Sequence, residues 1–281
     1  MSPDLAGLDQ AAIIPLTMET DAKRLSRERF GKYAANYVAS RTHAAGADID
    51  RIVELVGEHP DWEALDIATG GGHTALAVAP HVAHVVATDL TAAMLAAAQE
   101  FIVSQGAENV DFQLADAEAL PFPPGSFDLV TCRIAPHHFP HPERFVAEVA
   151  RVLRPGGLFV LQDQIVPEDK AAADYITDIE RRRDPSHQRA LSVEEWKRLL
   201  AGAGLALETA ESFEKQPRLE RWVADQEGSA QDLADLRRLL SQAPPVVQEW
   251  THPKDLDGPE ATFVIRHGVF SARKPGNPPS L

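Results

Sequence analysis

The chain is poor in cysteine, in long apolar runs and in basic residues, and each shortage excludes a class of protein. Cys132 is the only cysteine, which rules out an internal disulfide and a cysteine-based metal cluster. No apolar run approaches the roughly 18 residues of a membrane-spanning helix, and residues 1–5 lack the pattern of a secretory signal. We therefore expect a cytoplasmic protein with no membrane span.

The charge balance bears on the kind of partner. The chain has 27 lysine and arginine residues against 42 aspartate and glutamate residues, a formal net charge of -15. A nucleic-acid partner needs a basic face that displaces counterions from phosphates, which this composition disfavours. We expect a small-molecule partner and no nucleic acid. The composition leaves the oligomeric state open, including a homodimer.

An apolar run ends in three consecutive glycines within residues 65–74. Glycine after a buried strand lets the backbone turn tightly and approach a ligand that a Cβ would block. Helical composition resumes at once, so strand, glycine loop and helix together predict a nucleotide-type pocket. A plain surface turn is the alternative that three glycines alone leave open.

The pattern after the glycines favours a parallel sheet. A second apolar run ends at Asp89, about twenty residues beyond the glycines, where a carboxylate can accept hydrogen bonds from ribose hydroxyls. Strand and helix patterns then alternate as far as Gln162, which predicts a doubly wound α/β fold. A helix predicted at residues 27–39 carries aromatic side chains on one face, suited either to core packing or to a cofactor lid.

Three histidines, His137, His138 and His141, follow the fourth predicted strand. Ligands bind at the carboxyl ends of such strands, and a pKa near 6.5 suits histidine to general-base catalysis. His137 and His138 are therefore candidate catalytic bases, with a structural or positioning role as the alternative. No carboxylate stands in ligand spacing beside them, so no metal site is expected.

The segment 183–187 lies after the fifth predicted strand, where the alternation of elements breaks down. Asp184 before Pro185 predicts a turn. Substrate contact by Arg183 or His187 is the other interpretation. The region as a whole is a candidate substrate cover.

Four segments in order resemble the class I S-adenosylmethionine-dependent methyltransferases, and among them the ubiquinone/menaquinone-biosynthesis C-methyltransferases. The segments are residues 65–72, 88–94, 116–123 and 152–157. Ala68 stands where the family has its first glycine, a change that should leave the loop intact. The resemblance implies a Rossmann-like, seven-stranded sheet with an antiparallel last strand and helical lid insertions.

The resemblance also implies roles toward S-adenosylmethionine as the cofactor. Asp66 would order the glycine loop, Asp89 would hold the ribose hydroxyls, and Asp116 would accept a hydrogen bond from the adenine amino group. The other expected cofactor-binding residues are Thr69, Gly70, Gly72, Leu90, Met94, Ala117, Arg133 and Tyr37.

The implied activity is carbon or oxygen methylation of a small acceptor that is quinone-like, phenolic or another metabolite. A non-catalytic cofactor-binding protein is one alternative, and an NAD-dependent oxidoreductase, whose fingerprint would place glycine at Ala75, is another. The expected divisions are an N-terminal arm with a lid helix (1–45), a cofactor-binding core (46–164), a substrate cover (165–190), a C-terminal part of the core with a helical insertion (191–274) and a disordered tail (275–281).

Overall fold

The computed structural model describes residues 20–39 and 46–276, and for residues 33–39 it describes the backbone alone. The predictions for the arm before residue 20, for the side chain of Tyr37 and for the tail beyond residue 276 lie outside the described residues. Within the described ranges, no helix is both long and apolar enough to cross a lipid bilayer.

Seven strands form one sheet in the described part of the chain. They are β1 (His59–Ile67), β2 (Val82–Asp89), β3 (Val110–Leu114), β4 (Phe127–Arg133), β5 (Leu153–Gln164), β6 (Ala206–Lys215) and β7 (Ile265–Arg273). Their spatial order is β3-β2-β1-β4-β5-β7-β6. The strands β1 to β5 pair in parallel, whereas β7 is antiparallel to both β5 and β6. The predicted seven-stranded sheet with an antiparallel last strand is confirmed.

Helices cover both faces of this sheet. They are α1 (Asp21–Ala39), α2 (Ala47–Val56), α3 (His73–Val78), α4 (Ala92–Ser104), α5 (Pro142–Val152), α6 (Lys170–Arg183), α7 (Val193–Gly202), α8 (Leu219–Ala224), α9 (Ala230–Ser241) and α10 (Pro245–Thr251). In the described ranges, short 3₁₀ turns occupy Ala79–His81 and Pro136–His138. A capping box formed by Ser192 and Glu195 opens α7.

The core consists of one apolar layer on each face of the sheet. One layer joins β4 and β5 to α5 and α7 through fully buried residues such as Phe145, Val149 and Trp196. The other joins β1 and β2 to α2, α3 and α4, and includes Ile52 and Ile102. Burial of each such side chain contributes about 1.5–3 kcal/mol, so these layers hold the strand ends in place.

The structure corrects several predicted boundaries. Helix α1 begins at Asp21 rather than near residue 27, and its first turns are held by ion pairs to distant elements that local periodicity cannot show. The predicted cover contains α6, whose first turn is capped by the Asp169 side chain accepting the Ala172 N–H at 2.8 Å. Helix α10 follows Pro244 and was not predicted.

The candidate cover (165–190) and the helical insertion that follows it share an apolar centre. Trp222 of α8 is 7% exposed and packs edge-on against Phe263, with ring centroids 4.8 Å apart. Ile179 of α6 and Leu236 of α9 complete this satellite cluster. This cluster packs α6 of the candidate cover against α8 and α9.

Gly72 and Gly125 allow a matched test of packing behind the glycine loop. Both have left-handed backbones, but a Cβ on Gly72 would lie 2.8 Å from Ile102 Cδ1, whereas one on Gly125 would meet nothing within 4 Å. We expect Gly125→Ala to lower the free energy of unfolding by about 1–2 kcal/mol through backbone strain, and Gly72→Ala to lower it by about 1–3 kcal/mol more through overpacking. Urea denaturation measures both, and equal losses would contradict the packing argument.

Candidate functional site

An open cleft lies at the carboxyl ends of β1, β2 and β4, beneath helix α1. It contains about 990 Å³ of space, part of it open to solvent. Successive parallel strands deliver their last residues to this edge, and the order of the chain reverses between β1 and β4, where such sheets bind ligands. The cleft therefore lies where the sequence places its glycine loop and the acids that follow it.

The glycine loop leaves room on its cleft side. Gly70 has φ +56°, and the nearest atom to an added Cβ would be the Ala68 carbonyl oxygen at 4.0 Å. Ala68 itself has φ +53°, a conformation that costs an L-residue about 1–2 kcal/mol. The loop nevertheless closes, with the Thr69 N–H donating to the Thr88 carbonyl at 2.7 Å. The expectation that alanine at 68 leaves the loop intact is confirmed.

Asp89 ends β2 and connects two loops. Its Oδ2 accepts the Gly70 N–H at 3.1 Å and its Oδ1 accepts the Thr91 N–H at 2.9 Å. Burial raises the pKa of Asp89 to about 6, because these backbone donors offset only part of the lost hydration. Each carboxylate oxygen can accept a further hydrogen bond, so Asp89 is oriented and still has acceptor capacity.

Asp66, near the end of β1, lies one layer deeper. Its Oδ1 accepts the Thr131 hydroxyl at 2.7 Å, whereas its Oδ2 has no hydrogen-bond partner among the described residues. Burial raises the pKa of Asp66 to about 6. Its place beneath Thr69 and the loop agrees with a role in ordering the loop rather than in direct contact with a ligand.

Asp116, after β3, is held in a three-residue ion cluster. Lys23 of α1 lies 2.6 Å from Asp116 Oδ2 and 2.7 Å from Glu118 Oε2, and all three side chains are largely buried. Asp116 Oδ1 accepts the Glu118 N–H at 2.9 Å. Helix α1 thus places a cation on the carboxylate that the resemblance assigns to the adenine amino group.

The remaining walls of this half of the cleft have the chemistry of an adenosine site. Leu90, Met94 and Ala117 supply apolar surface. Buried hydroxyls of Thr69 and Ser26 have no partner in the described chain, which is unfavourable unless a ligand or water meets them. An apolar slot between carboxylates and unpaired hydroxyls fits S-adenosylmethionine, whose adenosine offers a flat ring, an amino group and two hydroxyls.

Arg133 ends β4 and lines the cleft from the other side. Its Nε and Nη2 lie 3.0 and 2.6 Å from Asp48 Oδ2, and Lys215 lies 3.3 Å from the same oxygen. Burial alone would raise the pKa of Asp48, but the two cations lower it below its ordinary value. Burial lowers the pKa of the adjacent His267 to about 3, so this imidazole is neutral. Two cations, Arg133 and Lys215, thus lie beside one carboxylate oxygen of Asp48.

His137 is bound to a carboxylate that the sequence reading did not identify. Its Nδ1 lies 2.6 Å from Asp163 Oδ1, and its backbone N–H donates to Asp163 Oδ2 at 2.8 Å. Asp163 is fully buried near the end of β5. Burial alone would lower the pKa of His137, but the Asp163 carboxylate outweighs it and raises that pKa above 6.5. Asp163 directly follows the fifth predicted strand, and this position at the carboxyl end of a strand could have marked it as a candidate site residue.

His138 lines the cleft and is held by the segment 183–187. Its Nδ1 lies 3.3 Å from the Ser186 hydroxyl, which donates to Asp184 Oδ1 at 2.6 Å. Burial, and secondarily the charge of His137, lowers the pKa of His138 to about 3. His138 is therefore a neutral imidazole at physiological pH.

The predicted turn at Asp184 is confirmed. Its Oδ1 accepts the Ser186 N–H at 2.9 Å, and Arg29 of α1 forms an ion pair with it at 2.9 Å. His187 stacks on His137 with ring centroids 5.0 Å apart, and burial lowers its pKa well below 6.5. Arg183 donates to the Trp222 carbonyl at 2.8 Å and stacks on the Trp222 ring. The structure thus brings His187 to the other two histidines and holds Arg183 against Trp222 of α8.

His141 is separated from this histidine group. Its Nδ1 lies 3.5 Å from Glu143, and its side chain is 38% exposed. No set of three or more metal-ligating side chains converges in residues 20–39 or 46–276. The third histidine of the sequence pattern therefore has a local surface partner.

Comparison with known proteins gives a consistent match to one class of enzyme. Residues 65–161 match a family model described as a methyltransferase domain. The uncharacterized methyltransferase YcgJ of Bacillus subtilis (strain 168) is 38% identical over 194 residues, covering 69% of this chain and 77% of YcgJ. The crystal structure of YcgJ superposes with a TM-score of 0.78 and 31% identity, covering 82% of this chain and 98% of that one. The ubiquinone/menaquinone biosynthesis C-methyltransferase UbiE of Brucella canis is 36% identical over 152 residues, covering 50% of this chain and 56% of UbiE.

The Asp89 carboxylate allows a direct test of the adenosine half of the cleft. We expect Asp89→Asn to weaken S-adenosylhomocysteine binding about 10–100-fold, because the amide is uncharged and has only one oxygen with which to accept hydrogen bonds. Isothermal titration calorimetry measures the affinity, and circular dichroism checks that the fold is retained. Asp111→Asn is the matched control, since its side chain on β3 is 82% exposed. Unchanged affinity in Asp89→Asn would remove the ribose assignment.

Proposed function

This chain belongs to the class I S-adenosylmethionine-dependent methyltransferases, and we propose that it methylates an oxygen or an acidic carbon of a small, uncharged organic acceptor. A phenolic or quinol-type acceptor fits best. The proposal rests on one observation above the others, the buried Asp163–His137 pair beside the cleft. Such a pair removes a proton from a weak acid, which a protein that only binds the cofactor does not need.

The pair is arranged as a general base. The Asp163 carboxylate accepts a hydrogen bond from His137 Nδ1, so in the neutral ring Nδ1 carries the proton and Nε2 holds a lone pair. That Nε2 has no hydrogen-bond partner among the described residues, and the ring is 10% exposed. His137 is therefore fixed in the tautomer that accepts a proton, and Asp163 stabilises the imidazolium that results.

The chemistry divides between cofactor and protein. S-adenosylmethionine, when bound, supplies a sulfonium methyl group whose C–S bonding pair stays on sulfur. The acceptor O–H or C–H proton passes to His137 Nε2, and the electron pair that it leaves forms the new bond to the methyl carbon. The protein otherwise aligns the reactants and excludes water.

The residues that would hold the cofactor follow from the charges along the cleft. Asp89 would take the ribose hydroxyls, while Leu90, Met94 and Ala117 would flank the adenine, with Asp116 at its edge. Arg133, which lines the cleft, would lie beside the methionine carboxylate. Gly70 leaves the space through which the chain of the amino acid would pass.

The acceptor half of the cleft supports an uncharged acceptor. Phe30, Ile134, Phe139 and the neutral His138 line it. The nearby cation Arg29 is engaged by Asp184 at 2.9 Å and by Gln226 at 2.7 Å. An acceptor with a phosphate or carboxylate at this wall would lose hydration without gaining a counter-charge.

Ligand-dependent thermal stability tests whether the chain binds S-adenosylmethionine, as the proposal requires. We expect S-adenosylmethionine and S-adenosylhomocysteine to raise the unfolding temperature, because a ligand that binds only the folded state stabilises it. NAD should leave the unfolding temperature unchanged. Stabilisation by NAD alone would contradict methyl transfer and restore the oxidoreductase alternative.

The pH profile of methyl transfer tests the base. The rate should rise with pH through the pKa of His137, with its inflection above 6.5, because only the neutral imidazole accepts a proton. Asp163→Asn should lower the maximal rate about 10²–10⁴-fold and move the inflection to lower pH, since the charge that raises this pKa is lost. Stopped assays with radiolabelled S-adenosylmethionine measure both quantities.

Two controls separate this role from a structural one. His137→Gln should abolish the rising limb while leaving S-adenosylhomocysteine affinity within about 3-fold of the unmodified protein. His84→Gln, on β2 with a side chain 30% exposed, should leave the profile unchanged. A normal profile in His137→Gln would exclude His137 as the base.

A further inference from the structure

The segment 183–187 supports a second hydrogen-bond acceptor next to the proposed base. The Ser186 hydroxyl has one proton, which it donates in a hydrogen bond to Asp184 Oδ1 at 2.6 Å. Its oxygen can then only accept from His138 Nδ1 at 3.3 Å, so this ring nitrogen carries the proton of the neutral imidazole. The lone pair of His138 is therefore on Nε2.

The Nε2 of His138 has no hydrogen-bond partner among the described residues, and His138 lines the cleft. The other contacts of this ring are aromatic. Phe30 packs edge-on at 4.9 Å and His137 lies at 4.2 Å between centroids. An unmet acceptor in such surroundings favours a ligand that brings a donor.

His137 and His138 are thus two neighbouring imidazoles in the same tautomer, each with an Nε2 lone pair. One is fixed by Asp163 directly, and the other by Asp184 through Ser186. The pKa of His137 is raised above the ordinary value, and the pKa of His138 is lowered below it. His137 is able to take up a proton near neutral pH, whereas His138 stays neutral and acts only as a hydrogen-bond acceptor.

We propose that His138, held by Ser186 and Asp184, binds a second hydroxyl of the acceptor beside the one that His137 deprotonates, so that the enzyme selects ortho-dihydroxyaromatic compounds. This inference rests on the proposed function and specifies its substrate class. The two hydroxyls of a catechol are adjacent on one ring, and the two imidazoles are also adjacent, with centroids 4.2 Å apart and planes at 47° to each other.

Proton affinity favours an aromatic diol over a sugar diol. A phenol, with a pKa of about 10 by analogy with tyrosine, is close enough to an imidazole of raised pKa for proton transfer in the transition state. An alcohol is a far weaker acid. The aromatic and aliphatic wall formed by Phe30, Ile134 and Phe139 also suits a flat ring.

A three-compound comparison tests the selection. The probes are 4-methylcatechol, 4-methylresorcinol and 4-methylphenol, which share a ring and differ in the number or spacing of hydroxyls. We expect kcat/KM for 4-methylcatechol to exceed that for each of the others about 10–100-fold, because only it satisfies both lone pairs. One methyl group per turnover should go to oxygen.

Variants assign the preference to His138. His138→Phe should bring the ratio of 4-methylcatechol to 4-methylphenol to within about 3-fold of unity, because the phenyl ring keeps the packing against Phe30 and removes the acceptor. Ser186→Ala should reduce the ratio less, by freeing the tautomer of His138. Ser241→Ala, an exposed serine at the end of α9, is the matched control and should leave the ratio unchanged.

Nitrogen NMR gives a readout that does not depend on turnover. In the unmodified protein the His138 ring should show a protonated Nδ1 and an unprotonated Nε2, and Ser186→Ala should mix the two tautomers. A ratio near unity in the unmodified protein, or a ratio that survives His138→Phe, would overturn the substrate class. So would turnover of none of the three probes by protein that binds S-adenosylhomocysteine, whereas failure to bind S-adenosylhomocysteine would overturn the proposed function itself.

Discussion

Burial of carboxylates at the carboxyl edge of the parallel sheet is the constraint on which the site depends. Asp66, Asp89 and Asp163 are each at most 9% exposed, and ionised groups so far from water must find donors nearby. Asp163 contacts the imidazole and the backbone N–H of His137. Asp66 and Asp89 accept from hydroxyl and backbone N–H donors, and burial raises the pKa of each to about 6. The Asp89 carboxylate lines the cleft, and each of its oxygens can accept one more hydrogen bond. A ligand with hydroxyl or amino donors would supply these bonds.

The two adjacent histidines show how small differences in support produce different chemistry. The two rings lie 4.2 Å apart between centroids, and burial lowers the proton affinity of each. Asp163 touches His137 directly and reverses the effect, while Asp184 reaches His138 only through the neutral Ser186 hydroxyl and does not. Neighbouring titratable groups whose pKa values are driven apart mark an acid–base site with divided roles. One histidine can exchange protons, and the other can only orient a donor.

The sequence predicted the features that follow from local pattern and strand order. Apolar runs ending in glycine or aspartate located the loop and Asp89, because parallel strands bring their ends to one edge. Lys23, Asp48 and Asp163 were not predicted as site residues, since each meets its partner at a separation of 26 to 93 residues. Periodicity says nothing about such pairs. The start of α1 was misplaced for the same reason, because ion pairs across the fold stabilise its first turns.

Helix α1 joins the two halves of the cleft through opposite charges. Lys23 lies on Asp116 and Glu118 at the adenosine side, and Arg29, further along the same helix, lies on Asp184 beneath the histidines. Buried ion pairs contribute little net stability, but removing one partner leaves an uncompensated charge that costs about 3–5 kcal/mol. The carboxylates of both halves are therefore stable in these positions only while α1 covers them. The same helix thus sets the environment of Asp116 and Glu118 and, through Asp184 and Ser186, the tautomer of His138.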